Sequence, residues 1–174
     1  QIIAIHLYYR TYKTVKMAAP TLNDDQKKLI KDLWEVIRAG DLQETGVSMY
    51  IHMFTAEPEV MKMFSFVPKG VTDPEELRNS ARFLKHAKNL MATVTTAIDM
   101  LDDMKALTPV LVDLGRRHRK YKAKTEHFPV VGRSLTYAVS TAAGDAFTPE
   151  TASAFSDFYG VVTHYTNEGL VEAA

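Results

Sequence analysis

Two histidines lie on the apolar faces of separate helical segments, where an imidazole could bind a metal or a cofactor. His86 lies between Phe83 and Leu90 on one such face, and His118 follows Leu114 by one turn on another. A buried imidazole must form a hydrogen bond or bind a partner, because burial removes it from water. A single one most often forms a core hydrogen bond. Two of them, each among large apolar side chains, favour a ligand site.

The other four histidines are not expected to take part in chemistry. His52 and His164 lie beside the apolar faces of their helices and are predicted to be solvated surface residues. His127 precedes a helix start, which predicts a surface or capping position, and His6 lies near the N-terminus. Three acidic residues at a helix end are also expected to be solvated: Asp99, Asp102 and Asp103.

Several kinds of reactive site are excluded by the residues that the chain lacks. It contains no cysteine, which excludes disulfides, thiolate nucleophiles, zinc–cysteine sites and iron–sulfur clusters. No His-x-x-x-His or Glu-x-x-His pair is present, so zinc and di-iron bundles lack their ligands. No glycine-rich phosphate loop or nucleophile elbow is present, and we do not expect an enzyme. The 21 basic and 21 acidic residues balance, which predicts no nucleic-acid partner.

The elements that position the two histidines are predicted to be helices. Seven prolines divide the chain, and the segments between them show helical periodicity without sustained alternation. The prediction is therefore an all-α fold. Asn23, with Gln26 three positions on, forms a capping box that begins the first helix, which ends near Gly40. The second helix places Tyr50 on its apolar face.

Local signals predict the limits of the later helices. His86 is expected in a long helix from about Pro74 to about Leu101. Thr108-Pro109 predicts an N-cap followed by proline at the first position of the helix that bears His118. Two further signals concern the last helix: Thr148-Pro149 as its cap and first residue, and Gly169 as its C-cap.

Residues 1–16 differ from the rest of the chain. Their apolar run is too short to span a bilayer, and the basic residues follow it, which is the wrong order for a secretory signal. We expect residues 1–16 to be an N-terminal extension outside the fold, and residues 17–174 to form one domain. A membrane-touching tail is the alternative. The absence of cysteine fits a cytoplasmic protein.

Several segments together resemble the globin family, in particular its neuroglobin branch. Trp34, Pro58 followed by Phe64, His86 and His118 stand in the order of the globin signature residues. The 32-residue spacing between the two histidines is similar to that of neuroglobins and longer than that of myoglobin. The cysteine pair of some neuroglobins is absent. The resemblance covers about residues 22–170, and three runs carry it most clearly: Leu114-Gly115-Arg116-Arg117-His118, Phe128-Pro129-Val130-Val131-Gly132 and Ala146-Phe147-Thr148-Pro149.

The resemblance implies a globin fold of seven to eight helices around a pocket for haem b. His118 would be the proximal iron ligand, with its second ring nitrogen bonded to a carbonyl near Leu114. His86 would lie on the distal side, beside the gas ligand or as a sixth iron ligand. Arg117 and Lys122 are candidates to meet the haem carboxylates. Five further residues are implied to contact the haem: Phe64, Leu90, Leu114, Phe128 and Val131.

By the same resemblance, Tyr50 occupies the position that points at a bound ligand. Its hydroxyl and the N–H of His86 would be two donors to dioxygen, which carries partial negative charge when bound. The alternative is a core tyrosine whose hydroxyl bonds elsewhere.

Three functions remain open. The favoured one is reversible dioxygen binding for storage or transport, with carbon monoxide and nitric oxide as further small ligands. The second is a six-coordinate haem that both histidines bind, suited to electron transfer, sensing, or nitric-oxide and nitrite chemistry. The third is a haem-free helical interaction module. No nucleic-acid or membrane partner is expected.

Overall fold

The computed structural model describes residues 19–172, so the predicted N-terminal extension lies outside the described residues. In residues 19–172 the fold is all-α, with three short 3₁₀ helices and no strand. No helix there is long and apolar enough to cross a membrane. The seven α-helices are α1 (Asp24–Ala39), α2 (Leu42–Ala56), α3 (Pro58–Met61), α4 (Ala81–Asp99), α5 (Met104–Lys120), α6 (Phe128–Ala143) and α7 (Pro149–Val171). The 3₁₀ helices are Pro74–Asn79, Thr125–His127 and Gly144–Ala146.

Side-chain caps begin the first and last helices, as the sequence predicts. The Asn23 side chain accepts the backbone N–H of Gln26 at 2.8 Å, and the Gln26 side chain accepts the N–H of Asn23 at 3.0 Å. Thr148 accepts the backbone N–H of Thr151 at the start of α7. Both caps satisfy N–H groups that have no partner inside the helix. These two predictions are confirmed.

The helix that carries His86 is shorter than predicted. Pro74–Asn79 forms a separate 3₁₀ helix, and α4 begins only at Ala81. Ser80 between them has an extended backbone (φ −88°, ψ 111°), and its side chain accepts the N–H of Phe83 at 3.4 Å. An extended residue interrupts the helical hydrogen-bond ladder, and its hydroxyl then caps the next helix.

The helix that carries His118 begins earlier than predicted. Asp103 is the N-cap of α5 and accepts the N–H of Ala106 at 3.0 Å, so Pro109 lies inside the helix. The prediction of a start at Thr108-Pro109 was wrong. A proline here removes one hydrogen bond, whereas the earlier start buries Leu107 completely. The carboxylate cap and this burial outweigh the proline signal.

The helices that carry His86 and His118 pack closely against two different partner helices. α4 packs chiefly on α2, where a Cβ added to Gly46 would lie 2.7 Å from the carbonyl oxygen of Ala87. α5 packs chiefly on α7, where a Cβ on Gly169 would lie 1.8 Å from the carbonyl oxygen of Val112. Gly169 is therefore a contact glycine inside α7, and its prediction as a C-cap was wrong.

Candidate functional site

His118 lies in the last turn of α5 with one ring nitrogen already bonded. Its Nδ1 is 2.9 Å from the carbonyl oxygen of Leu114, one turn earlier. A carbonyl oxygen only accepts, so Nδ1 carries the proton and the neutral ring keeps its lone pair on Nε2. The ring centroid lies 6.4 Å from that of Phe128. His118 is therefore an oriented, half-buried base with one free nitrogen.

His86 is half-buried in a cluster of aromatic rings. Its ring centroid lies 5.2 Å from that of Tyr50 and 5.7 Å from that of Phe64. Burial lowers the pKa of His86 below its ordinary value, and the charge that His118 carries when it is protonated lowers it further. Both effects favour a neutral His86 ring.

Tyr50 lies on the buried face of α2 with 4% of its surface exposed. Its ring meets those of Phe64 and Phe83 edge-on, at centroid distances of 5.6 and 5.9 Å. Burial raises the pKa of Tyr50 far above its ordinary value, so its hydroxyl keeps its proton and remains a donor. No residue in the described part of the chain forms a hydrogen bond with that hydroxyl.

Phe66 belongs to the same cluster, although the sequence analysis assigned it no role. Its ring lies 5.0 Å from His86, 5.2 Å from Phe64 and 5.7 Å from Phe83. The available signal was the spacing of Phe64 and Phe66 in a stretch without helical periodicity. Two large aromatic side chains in such a stretch need a common apolar surface to pack on.

The residues expected around a bound group share one property. They are half-buried, whereas nearby core side chains such as Phe83 and Met91 are 0% exposed. These residues therefore keep surface that the protein itself does not cover. Apolar side chains of this kind around an imidazole with a free nitrogen are what a haem needs, so the residues present fit the group. They are Phe64, His86, Leu90, Leu114, His118, Phe128 and Val131.

The two candidates for haem carboxylates have different surroundings. Arg117 forms a surface ion pair with Asp113, with Nε 3.2 Å from Oδ2. Lys122 lies in the turn after α5 with a left-handed backbone (φ 61°), is exposed, and forms no ion pair with a described residue. Lys122 is therefore the freer cation of the two.

Three further histidines in the described part of the chain have partners of their own. His52 is half-buried, with Nδ1 3.0 Å from Ser134 Oγ and its ring stacked on Tyr137 at 4.1 Å. Only 18% of the His164 side chain is exposed. The prediction that these two are solvated was wrong, because Ser134 and Tyr137 of α6 cover His52 and the ring of His164 packs on Tyr165 of its own helix. His127 accepts a backbone N–H at 3.1 Å at its 3₁₀ helix, which confirms its capping position.

The three acidic residues near the end of α4 are exposed, as predicted, and each also has a partner within the fold. Asp99 accepts from Arg38 at 2.6 Å, and Asp102 pairs with Lys31, so both join α1 to this corner. Asp103 caps α5. Each carboxylate therefore has a structural partner. Within residues 19–172, no group of three metal-ligating side chains is close enough to hold an ion.

Comparison with known sequences gives matches over most of the chain. Residues 47–166 match the sequence model of the Globin family. A neuroglobin of Danio rerio is 29% identical over 148 residues, covering 85% of this chain and 92% of the relative. A neuroglobin of Chaenocephalus aceratus is 30% identical over 149 residues, with the same coverage of each chain.

Comparison with solved structures gives a match of the same extent. A hexacoordinated heme protein from an anhydrobiotic tardigrade superimposes with a TM-score of 0.80 at 22% identity. The match covers 87% of this chain and 96% of that protein. At this identity the likeness shows the fold.

Proposed function

The chain belongs to the globin family, and on that premise we propose that it holds haem b between α4 and α5 and reversibly binds dioxygen there. His118 would be the proximal iron ligand, with Tyr50 and His86 as donors on the distal side. Bound haem would supply an iron atom that accepts diatomic gases. The observation that carries the proposal is the hydrogen bond from His118 Nδ1 to the Leu114 carbonyl, which leaves Nε2 as the nitrogen that would bind the iron.

Haem b is the form proposed because the chain has no cysteine, and covalent attachment through thioether bonds needs cysteine. The protein would then retain haem through the bond from His118 to the iron and through apolar contacts with the ring. Lys122 would meet a haem carboxylate in preference to Arg117, which already has a partner. The apolar contacts would come from Phe64, Leu90, Leu114, Phe128 and Val131.

The distal donors are supported by their surroundings. Tyr50 keeps its proton, and its hydroxyl has no partner in the described part of the chain. His86, with its lowered pKa, offers one N–H and one lone pair as a neutral ring. Two donors at a polarised ligand stabilise it without a change in the charge of the pocket.

A second candidate function is a six-coordinate haem with His86 as the sixth ligand. His86 forms no hydrogen bond with a described residue, and its lowered pKa favours the neutral ring that binds a metal. The tardigrade protein with the matching fold is hexacoordinated. A haem held by both histidines would suit electron transfer, sensing, or nitric-oxide and nitrite chemistry.

The absorption spectrum of the reduced, ligand-free protein separates these functions. Dioxygen storage or transport predicts a five-coordinate, high-spin spectrum and a stable dioxygen complex. A low-spin spectrum would mean that the haem is six-coordinate, and it would favour the second candidate function. Failure to retain haem at one per chain would reject both and favour a haem-free interaction module.

Carbon monoxide and nitric oxide would bind at the dioxygen site, and the protein would bind ligands without catalysing a reaction. We place it in the cytoplasm, with residues 17–174 as the functional domain.

A further inference from the structure

The end of α5 and the turn after it carry the densest positive charge in a chain whose net charge is zero. We call residues 116–124 the basic surface. Three carboxylates, Asp113, Glu126 and Glu172, pair with some of its cations, so an excess of three positive charges remains. The six cations are Arg116, Arg117, Arg119, Lys120, Lys122 and Lys124.

Two of the six cations of the basic surface are held in place by the C-terminal end of α7 and the residue after it. Arg116 donates twice to the carboxylate of Glu172, at 2.5 and 3.0 Å, and Arg119 donates to the carbonyl oxygen of Glu172. The backbone N–H of Tyr121 donates to the carbonyl of His118 at 3.0 Å, which closes the last turn. Groups that are already ordered lose less conformational entropy when they bind a partner.

An exposed aromatic ring lies in the middle of the basic surface. Tyr121 is 75% exposed, more than any other large hydrophobic residue described. Lys120 and Lys122 on either side form no ion pair with a described residue. Tyrosine and arginine together are enriched at the centres of protein interfaces, where the ring supplies contact area and the arginines supply directed donors.

We propose that the basic surface docks a protein segment rich in aspartate and glutamate, with Tyr121 as its central anchor. A nucleic acid is disfavoured because the chain as a whole is neutral, so long-range attraction to a phosphate backbone is weak. A membrane is disfavoured because residues 116–124 contain no large aliphatic side chain to insert. This docking goes beyond gas binding and rests chiefly on Lys120 and Tyr121, since Lys122 is the cation proposed to meet a haem carboxylate.

The test is an NMR titration of the ¹⁵N-labelled full chain with a glutamate-rich peptide, beside the same peptide with glutamine at each glutamate. We expect amide shifts confined to the basic surface and to the neighbouring end of α7, only with the acidic peptide. Binding should weaken as salt rises, because screening shortens the reach of the charges.

Substitutions test which residues of the basic surface bind the acidic peptide. Lys120→Glu together with Tyr121→Ala should weaken binding at least about tenfold, and Tyr121→Ala alone should give part of that loss. Lys105→Glu is the matched control, since Lys105 is exposed at the other end of α5 and forms no ion pair with a described residue. It should leave the affinity unchanged, and circular dichroism checks that each variant is folded.

Three results would overturn the proposal. Shifts spread over the whole protein, or an equal loss with Lys105→Glu, would mean unspecific charge attraction. Tighter binding of poly-uridine RNA than of the acidic peptide would make a nucleic acid the partner. Tighter binding of phosphatidylserine vesicles would make a membrane the partner.

Discussion

Gly115 of α5 lies directly against the backbone of Thr166 on α7. A Cβ at position 115 would be 1.9 Å from the carbonyl oxygen of Thr166, closer than any real contact. The contact of Gly169 with Val112, also through backbone atoms, makes the same crossing close at a second point. The packing of α5, and with it of His118, against α7 therefore depends on two glycines.

Gly115→Ala should destabilise the protein by about 1–3 kcal/mol, because the new methyl group meets backbone that cannot turn away. Urea unfolding followed by circular dichroism measures the change. Gly160→Ala is the control in α7, since nothing lies within 4 Å of a Cβ there. It should stabilise the helix by about 0.5–1 kcal/mol. Equal effects at the two positions would contradict the close crossing.

His118→Ala should lose haem or hold it weakly, because no other free base lies on α5 at this place. Added imidazole should restore binding by entering the space that the side chain leaves. Haem retention on a desalting column, followed by absorption, measures both effects. The same substitution at His164, whose ring packs on Tyr165 and has no role in the proposed haem site, should leave retention unchanged. An unaltered haem spectrum in His118→Ala would reject the assignment of the axial base.

Tyr50→Phe should weaken dioxygen binding by about tenfold or more, since a hydrogen bond to a charged acceptor contributes about 1.5–3 kcal/mol. The loss should appear mainly as faster dissociation, measured by stopped flow, and carbon monoxide should be affected much less. Tyr121→Phe, at an exposed position, is the control. An unchanged dioxygen dissociation rate in Tyr50→Phe would show that the hydroxyl does not form a hydrogen bond with the bound ligand.

His86→Leu separates the two coordination states. If His86 only donates to the bound gas, the variant should lose dioxygen affinity and keep its affinity for carbon monoxide. If His86 binds the iron, it competes with added ligands. The apparent affinity is then the intrinsic affinity multiplied by the fraction of molecules in which His86 is not bound to the iron. Flash photolysis with carbon monoxide should then show faster or tighter binding in the variant. Faster carbon monoxide binding would therefore favour the six-coordinate function.

Glu172→Gln should lower the melting temperature slightly, in a pH-dependent way. The hydrogen bond from Arg116 holds the pKa of Glu172 below its ordinary value of 4.5. A carboxyl with a lowered folded-state pKa stabilises the fold above its ordinary pKa, and this stabilisation is lost as the pH falls through the lowered value. The difference between variant and parent should be present at neutral pH and vanish in acid. A difference that persists in acid would mean that the ion pair is not its cause.

A chain that begins at Met17 should fold, bind haem and keep its ligand kinetics. The reason is that the first capping signal in the sequence is Asn23, which the structure shows at the start of α1. Thermal unfolding and carbon monoxide binding, compared with the full chain, measure this. A large fall in melting temperature would show that residues 1–16 pack on the domain.

The sequence by itself was sufficient for features that depend on neighbouring residues. The capping box of Asn23 and the Thr148 cap were predicted because the donor and acceptor lie three positions apart. Periodicity was sufficient for the all-α fold, and it identified the apolar faces of His86 and His118. The hydrogen bond of His118 was also predictable, because its acceptor is one turn earlier on the same helix.

Only the tertiary structure decided features that depend on contacts between distant segments. Pro109 lies inside α5 because burial of Leu107 favours an earlier start, and Gly169 lies inside α7 because another backbone meets it there. His52 is covered because Ser134 and Tyr137, far along the chain, lie beside it. A local sequence pattern predicts which groups can form hydrogen bonds along one helix. It does not predict which helices pack against each other, and that packing determines the burial and the partners of each side chain.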